Sequence, residues 1–382
     1  MARLLDDPSV VQRVFDHIDH ETTDVSEECW REPVAHYRSP DRLDLERALV
    51  LRRYPTPFCP SAALPEAGSY IAREAAGTPL LAVRGRDGAV RVFRNACRHR
   101  GTQLALGSGC AKAFACRYHG WTYALDGRLQ HVPHEHGFPG LEKELFGLVP
   151  VKAVERSGLV FVTQDGPHAD DAELDDVEPL VPPHAKLIES NELETAANWK
   201  ILIDSFLEGY HTRSTHRDTF YPVQYDNLTL VETFGRNHRI TFPFRSIEKL
   251  RDVPPAERSI DGRVLTYVYH LFPNVAVITL PEHIRMLVYE PLAVDRTRVF
   301  GYTLSAPSPR YEGKGDAVEF ARASEFAEVG GREDTAVSLA IQRGLASGAN
   351  ECFVFGRFEG AVADFHRSLQ ALIDGALERR PA

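Results

Sequence analysis

Val10, Val11, Val14, Phe15 and Ile18 recur at three- and four-residue intervals within an otherwise acidic opening of about 45 residues, predicting a helix with one apolar face. From Tyr54 the period shortens. The segments "YIARE", "LLAVRG", "AVRVFRN" and "LVFVTQ" alternate as strands do, and "RDG" between the second and third marks a hairpin. The acidic, Pro-containing run "DDAELDDVEPLVPP" then reads as a solvated surface linker. Beyond it, Trp199, Leu202, Phe206 and Tyr210 in "NWKILIDSFLEGYH" return to helical spacing and predict one helix with a buried stripe. Six strand-like segments follow: "NLTLVETFG", "HRITFPF", "VLTYVYHLF", "VAVITL", "IRMLVYEPL" and "RTRVFGYTLSA". Phe358, Val362, Phe365, Leu369 and Leu372 close the chain with another one-faced helix. The pattern is α+β, with an antiparallel character throughout.

At 382 residues the chain is too long for one small core, so two domains, or one domain with a large insertion, are expected. A formal charge of -10 leaves no basic field for a polyanion, and the local arginines 94, 98 and 100 are too few to change that. Nucleic acid is therefore excluded as a partner. The start lacks an apolar core flanked by basic residues, and the least charged stretch, Val268 to Pro281, is too short to span a bilayer. A cytoplasmic protein is expected, with no membrane association. Cys29, Cys59, Cys110 and Cys352 are scattered without a disulfide framework and are read as thiols. Neither a GxGxxG nor a P-loop sequence is present.

The remaining two cysteines belong to "CRHRGTQLALGSGCAKAFACRYHGW". Cys97-x-His99 and Cys116-x2-His119 each offer one thiolate and one imidazole. A structural zinc site usually takes a Cys pair from one knuckle and a His pair from a helix, so mixed pairs on two loops suit a two-iron cluster better. One iron then takes both thiolates and the other both imidazoles, and the neutral imidazoles raise the potential to about -150 to +300 mV. With Gly101, Gly120 and Trp121 beside them, "CRHRG" and "CRYHGW" resemble the Rieske [2Fe-2S] motif.

Downstream, "EGYHTRSTH" gathers Glu208, His211 and His216. Glu208 and His211 are three apart, as on one helix face, whereas His211 and His216 require the helix to distort or end before both can reach one atom. Two histidines and a carboxylate form the facial triad that holds non-haem Fe(II). The order of both motifs, from about residue 45 to 366, resembles the large (alpha) subunit of Rieske non-haem iron oxygenases, which include aromatic-ring-hydroxylating dioxygenases and demethylating monooxygenases.

That resemblance implies an all-β Rieske domain (46–160) inserted in a helix-grip catalytic domain (1–45 and 161–382). It implies a third iron ligand in "GREDTAVSLAIQRGLASG", Asp334 with Glu333 as the alternative, an acid followed by a helix. Glu208 stands where many members have Asp, and the resemblance gives it the role of bridging His211 to His119 of a neighbouring subunit in a head-to-tail homotrimer. Asp204 is a weaker candidate for supporting the iron site. Electrons would come from NADH through a separate reductase, with or without a ferredoxin. The substrates are then O2 and a small organic molecule, aromatic in the first reading and a quaternary amine in the second, with dihydroxylation, monooxygenation or demethylation as outcome. Tyr267, Tyr269, Phe272, Asn274, His283 and Met286 are candidate pocket walls. A Rieske electron-transfer protein would need only the first motif, and a zinc-stabilised binding module neither iron site.

Overall fold

The computed structural model describes residues 4–166, 174, 177, 179–260, 264–280, 283–305 and 317–378, the last segment by backbone alone for 317–324. Half of the acidic run at 170–183 lies outside the described residues. The chain divides into two compact units, Leu51–Ala169 and, on either side of it in sequence, Met1–Val50 with Asp170–Ala382.

The first fifty residues give α1 (Asp7–His20), β1 (Trp30–Pro33), α2 (Ala35–Arg38) and α3 (Pro40–Leu45). Asp6 caps α1 by accepting from the Ser9 N–H. Its predicted apolar face is buried at Val10, Val11, Val14 and Phe15, with Ile18 packed at the edge of the same cluster, against Leu230, Ile247 and Leu265.

In the Leu51–Ala169 unit the strands are β2 (Thr56–Pro60), β3 (Ser69–Ala75), β4 (Thr78–Arg84), β5 (Val90–Arg94), β6 (Gly107–Cys110), β7 (Phe114–Ala115), β8 (Thr122–Tyr123), β9 (Leu129–His131), β10 (Pro150–Arg156) and β11 (Leu159–Thr163). Among the described residues they form a seven-stranded sheet, β2-β11-β10-β5-β4-β3-β6, and a three-stranded one, β7-β8-β9. The predicted hairpin is β4–β5, closed by the pair Arg84 and Val90. Strand β2 escapes sequence reading because "TPFCP" contains two prolines. It survives by lying at the sheet edge, where a missing N–H breaks no ladder. Leu81, Val83, Phe93, Trp121, Tyr123 and Leu129 make a core that also encloses Cys97 and Cys116.

The remaining elements are β12 (Leu187–Thr195), α4 (Trp199–Asp204), α5 (Thr212–Thr215), β13 (Leu230–Phe234), β14 (Asn237–Pro243), β15 (Leu265–Leu271), β16 (Val275–Thr279), β17 (His283–Ala293), β18 (Arg296–Ser305), α6 (Ala317–Leu345), β19 (Cys352–Phe355) and α7 (Gly360–Glu378). An antiparallel sheet runs β12-β18-β17-β16-β15-β14-β13, and β1 pairs with β19. All six strand-like segments read from this region are present. The sequence reading misses β12 because Glu189, Glu192 and Glu194 are exposed along an edge strand paired only to β18. Helix α7 buries Val362, Phe365, His366 and Leu369, with Phe365 against His270 and Phe272 of the sheet side. Its stripe continues to Ile373 instead of Leu372, and Phe358 precedes the helix.

Two expectations change. The helix of "NWKILIDSFLEGYH" stops at Asp204: Phe206 and Leu207 N–H turn to the carbonyls of Ile203 and Asp204, three residues back, and the Glu208 carboxylate takes the N–H groups of Tyr210 and His211, so the helix does not resume through them. The acids of "GRED" do not precede a helix but lie far inside α6. The helix does end at "QRGL", as read.

Candidate metal centres

In the smaller unit, two loops repeat one backbone pattern. Gly101 N–H donates to the Cys97 carbonyl and Gly120 N–H to that of Cys116, each at 2.8 Å. Cys97 N–H donates to Thr102 O and Cys116 N–H to Trp121 O, again at 2.8 Å. Both turns need a positive φ, +77° at Gly101 and +74° at Gly120, which favours glycine. The turns bring the imidazoles of His99 and His119 together, ring centroids 4.7 Å apart, while both cysteines are buried.

Trp121 stacks on His99 at 4.9 Å and 9°, and Tyr118 on His119 at 3.7 Å. Tyr123 Oη accepts from the Arg98 N–H at 2.9 Å and lies 3.3 Å from Cys97 Sγ. Burial pushes the Cys116 thiol up, but N–H groups of Tyr118 and His119 and the side chains of Cys97 and Thr102 outweigh it and hold it below its ordinary value. Burial, then His119 and Arg100, hold His99 low and neutral. Two buried thiols, that of Cys116 eased toward thiolate, and two imidazoles on paired loops are the donor set a [2Fe-2S] cluster requires.

In the larger unit, Asn198 caps α4, accepting from Lys200 N–H at 3.0 Å, and its amide donates to the carbonyls of Tyr37 and Val294. Trp199 Nε1 and Lys200 Nζ donate to the two oxygens of the buried Glu46, at 3.1 and 2.6 Å. The "NWK" triplet thus anchors the helix from below. Past the break, α5 carries His211 and His216 at its two ends.

His211, His216 and Asp334 each turn a ligand atom to one place, all within 4.8 Å of one another. Asp334 Oδ1 is 2.9 Å from His216 Nε2 and 3.5 Å from His211 Nε2. Yet it is buried without a hydrogen bond of acceptable geometry, as expected when lone pairs aim at a shared third point. The other ring nitrogens are engaged: His211 Nδ1 with Glu208 Oε1 at 2.5 Å, and His216 Nδ1 with Glu333 Oε2 at 2.7 Å. The Nε2 atoms of both rings are thereby left for a metal, and the set fits Fe(II). Glu333 stands on the far edge of the His216 ring, not at the point of convergence.

Asp204 is engaged elsewhere, accepting from Tyr37 Oη at 2.9 Å and contacting His366 Nε2 at 3.0 Å. The wall candidates do not share one face. Tyr267 and Tyr269 alternate with His270 on β15, and Tyr267 lies under the Arg239 guanidinium beside α1, whereas Phe272 packs on α7. Asn274 donates to the Tyr289 carbonyl, and His283 and Met286 are buried in β17. Near the triad stand residues that sequence reading did not single out. Phe220 lies 4.6 Å from His216, Phe206 faces Tyr289 at 6.2 Å, and burial together with the Asp334 charge pushes the Tyr289 hydroxyl well up. Phe206 was read only as part of a helix stripe. Nothing local in the sequence ties β17 to the histidines.

Residues 184–375 match the family described as "Ring hydroxylating alpha subunit (catalytic domain)" and residues 55–150 match "Rieske [2Fe-2S] domain". The carnitine monooxygenase oxygenase subunit of Escherichia coli (strain K12) is 31% identical over 239 residues, 57% of this chain and 63% of that protein. The glycine betaine monooxygenase oxygenase subunit of Pseudomonas aeruginosa (strain UCBPP-PA14) is 33% identical over 173 residues, 44% of this chain and 40% of that protein. The matched segments therefore span less than two thirds of these relatives' lengths.

The structure of the quaternary ammonium Rieske monooxygenase CntA with L-carnitine superposes with a TM-score of 0.75 at 22% identity, covering 97% of this chain and 99% of that one. Naphthalene 1,2-dioxygenase from Rhodococcus sp. superposes at 0.73 and 19%, covering 98% and 99%. No helix among the described residues is long and apolar enough to cross a membrane. With the paired Cys–His loops and the catalytic-domain match together covering most of its length, the chain belongs to the family of Rieske non-haem iron oxygenase alpha subunits.

Proposed function

We propose that the protein is the terminal oxygenase of a multicomponent system, using O2 and two electrons from a separate reductase, ultimately from NADH, to hydroxylate a small organic substrate. The observation that carries the reading is the convergence of His211, His216 and Asp334 in a chain that also holds the paired Cys–His loops. An electron carrier would need only the loops. When bound, the iron activates O2 for insertion into the substrate; the overall balance is RH + O2 + 2e⁻ + 2H⁺ → ROH + H2O. At an N- or O-methyl group the hydroxylated product collapses to the demethylated compound and formaldehyde.

The chain's own residues have distinct duties. Cys97, His99, Cys116 and His119 hold the cluster, and His211, His216 and Asp334 hold the iron. Glu208 orients His211 through Nδ1. In a head-to-tail homotrimer Glu208 would also accept from His119 of the partner subunit, linking donor and acceptor of the electrons. Buried Tyr289 and half-buried Phe206, which faces it, exclude water from the reacting face.

A quaternary ammonium substrate is the second reading, favoured by the carnitine and glycine betaine relatives and by Glu208 in place of Asp. Aromatic faces beside the triad would attract such a cation. The test combines iron and acid-labile sulfide analysis with product mass spectrometry under 18O2, using a surrogate reductase and a panel containing carnitine, glycine betaine, naphthalene and biphenyl. About three irons per chain and one labelled product are expected. About two irons and no labelled product would leave an electron carrier, and one zinc with no colour would sink both.

A further inference from the structure

Helix α6 reaches the histidines with more than Asp334. Gly330, Glu333 and Asp334 share a helix face by their spacing of three and four, and that face meets the segment from His216 to Phe220. Glu333 Oε2 accepts from His216 Nδ1 at 2.7 Å and from Thr219 Oγ1 at 2.6 Å. Asp334 Oδ1 lies 2.9 Å from Nε2 of the same ring. Consecutive carboxylates of one helix thus address opposite nitrogens of one imidazole.

The turn that presents the ring is itself closed, with Thr219 and Tyr221 N–H both donating to the His216 carbonyl. Gly330 permits the approach, since a Cβ there would stand 2.2 Å from the Phe220 ring, which covers His216 at 4.6 Å. A glycine inside an exposed helix costs about 1 kcal/mol relative to alanine, and here it makes room for that ring.

We propose that Glu333 is a positioning residue for the mononuclear iron: it accepts the Nδ1–H of His216, so that the ring presents the Nε2 lone pair to the metal, and Thr219 clamps the carboxylate in place. The inference rests on the iron reading of His211, His216 and Asp334. Direct ligation by Glu333 is disfavoured by geometry, because its oxygen sits on the ring edge opposite Nε2. It also separates the two acids that hold the imidazoles. Glu208 lies on the same short segment as its histidine, whereas Glu333 ties His216 to a helix 117 residues away in sequence. Loss of Glu333 should therefore weaken metal binding without removing a ligand.

The test removes the mononuclear metal from the purified protein, leaves the cluster in place as internal standard, and titrates Fe(II) anaerobically against a chromophoric chelator. Glu333→Ala, which keeps a strong helix former in α6, should bind Fe(II) about 10–100-fold more weakly. Glu333→Gln should recover affinity to within about threefold, because the amide oxygen still accepts from Nδ1–H. Thr219→Val, which leaves α6 untouched, should weaken binding in the same direction by a smaller factor. In the Co(II)-substituted protein, one of two exchangeable, hyperfine-shifted imidazole N–H resonances should vanish in Glu333→Ala and persist in Glu333→Gln. Wild-type affinity with both resonances retained in Glu333→Ala would overturn the positioning role. Complete metal loss in Glu333→Ala, with metal retained in Asp334→Ala, would make Glu333 the ligand and overturn it equally. A wild type that takes up no Fe(II) at this site would instead overturn the iron reading itself.

Discussion

Between positions 97 and 119, four candidate ligands sit on two short loops that share one hydrogen-bond pattern, each closed by its own glycine. His211 and His216 sit on a four-residue helix that could not hold them alone. They depend on Asp334 and Glu333 from α6 and on Glu208 from the turn before. The first site is a local structure whose geometry is written in its own turn residues. The second is a tertiary structure, correct only when α4, α5 and α6 are all in place. The comparison explains why the iron site needs a buried scaffold beneath it. Glu46 takes Lys200, Trp199 and Arg42 together, and a second cluster joins Asp204, Tyr37, His366, Glu32 and His36.

The sharpest way to break the comparison is to empty each site in turn. Asp334→Ala should abolish turnover and drop iron from about three to two per chain, since two imidazoles without the carboxylate no longer complete the triad. The reduced cluster's paramagnetic resonance should be unchanged. Cys116→Ala should do the converse, losing the red-brown colour while Fe(II) still binds at the triad. If either variant loses both metals, the two sites are not independent structures and the contrast fails.

Next in size is Glu208→Gln, which removes no ligand. Both metals should stay, while oxidation of the pre-reduced cluster by O2 and substrate, followed by rapid mixing, should slow about 10–100-fold. The amide oxygen can replace one acceptor but does not match a carboxylate shared between two imidazole N–H groups. Unchanged cluster oxidation would remove Glu208 from the electron route. Lost iron would make it part of the triad's support.

The sequence disclosed these regions unequally, for the same physical reason. Cys97, His99, Cys116 and His119 were legible as a set because spacing and turn glycines suffice to define local loops. His211 and His216 were legible as a pair, but the break between α4 and α5 was foreseen only as a need to distort. In the break Phe206 and Leu207 bond three residues back and the Glu208 carboxylate captures two further backbone N–H groups, choices the spacing does not reveal. Asp334 came from resemblance to a family, not from spacing. Glu333 looked like its competitor because neighbours on a helix cannot be told apart without knowing which edge of His216 each one meets. Tyr289 was invisible, since strand alternation shows which residues share a face but not what packs on it. Strand β12 was hidden by its own exposed glutamates.

The smallest effect concerns the scaffold under the iron site, and pH can separate it from the cluster loops. His366 is buried, 1% exposed. Burial opposes its charge, but Asp204 and Glu32 overcome this and raise it from 6.5 to about 9. Glu32 is correspondingly held well below its ordinary value: burial pushes it up, and hydrogen bonds from His36 and His366 more than reverse that. Tyr37 contacts both Asp204 and His366, Phe355 stacks on the ring, and His270 adds a neutral neighbour held low by burial. A raised folded-state value means that this stabilisation is fully present below pH 6.5 and is lost as pH rises through about 9. The loss is on the order of 2–3 kcal/mol.

Hydrogen-exchange protection at α4 and α7 amides of the metal-loaded protein should therefore fall between pH 6.5 and 9, after correction for intrinsic exchange, while Gly101 and Gly120 in the cluster loops keep theirs. His366→Gln should lower α4 and α7 protection at pH 6.5 and flatten its dependence on pH, because the titrating group is gone and two carboxylates are left without their cation. Equal pH dependence in wild type and variant would show that α4 is not held by the charge on His366. Parallel loss of protection in the cluster loops would show that the two units do not respond separately.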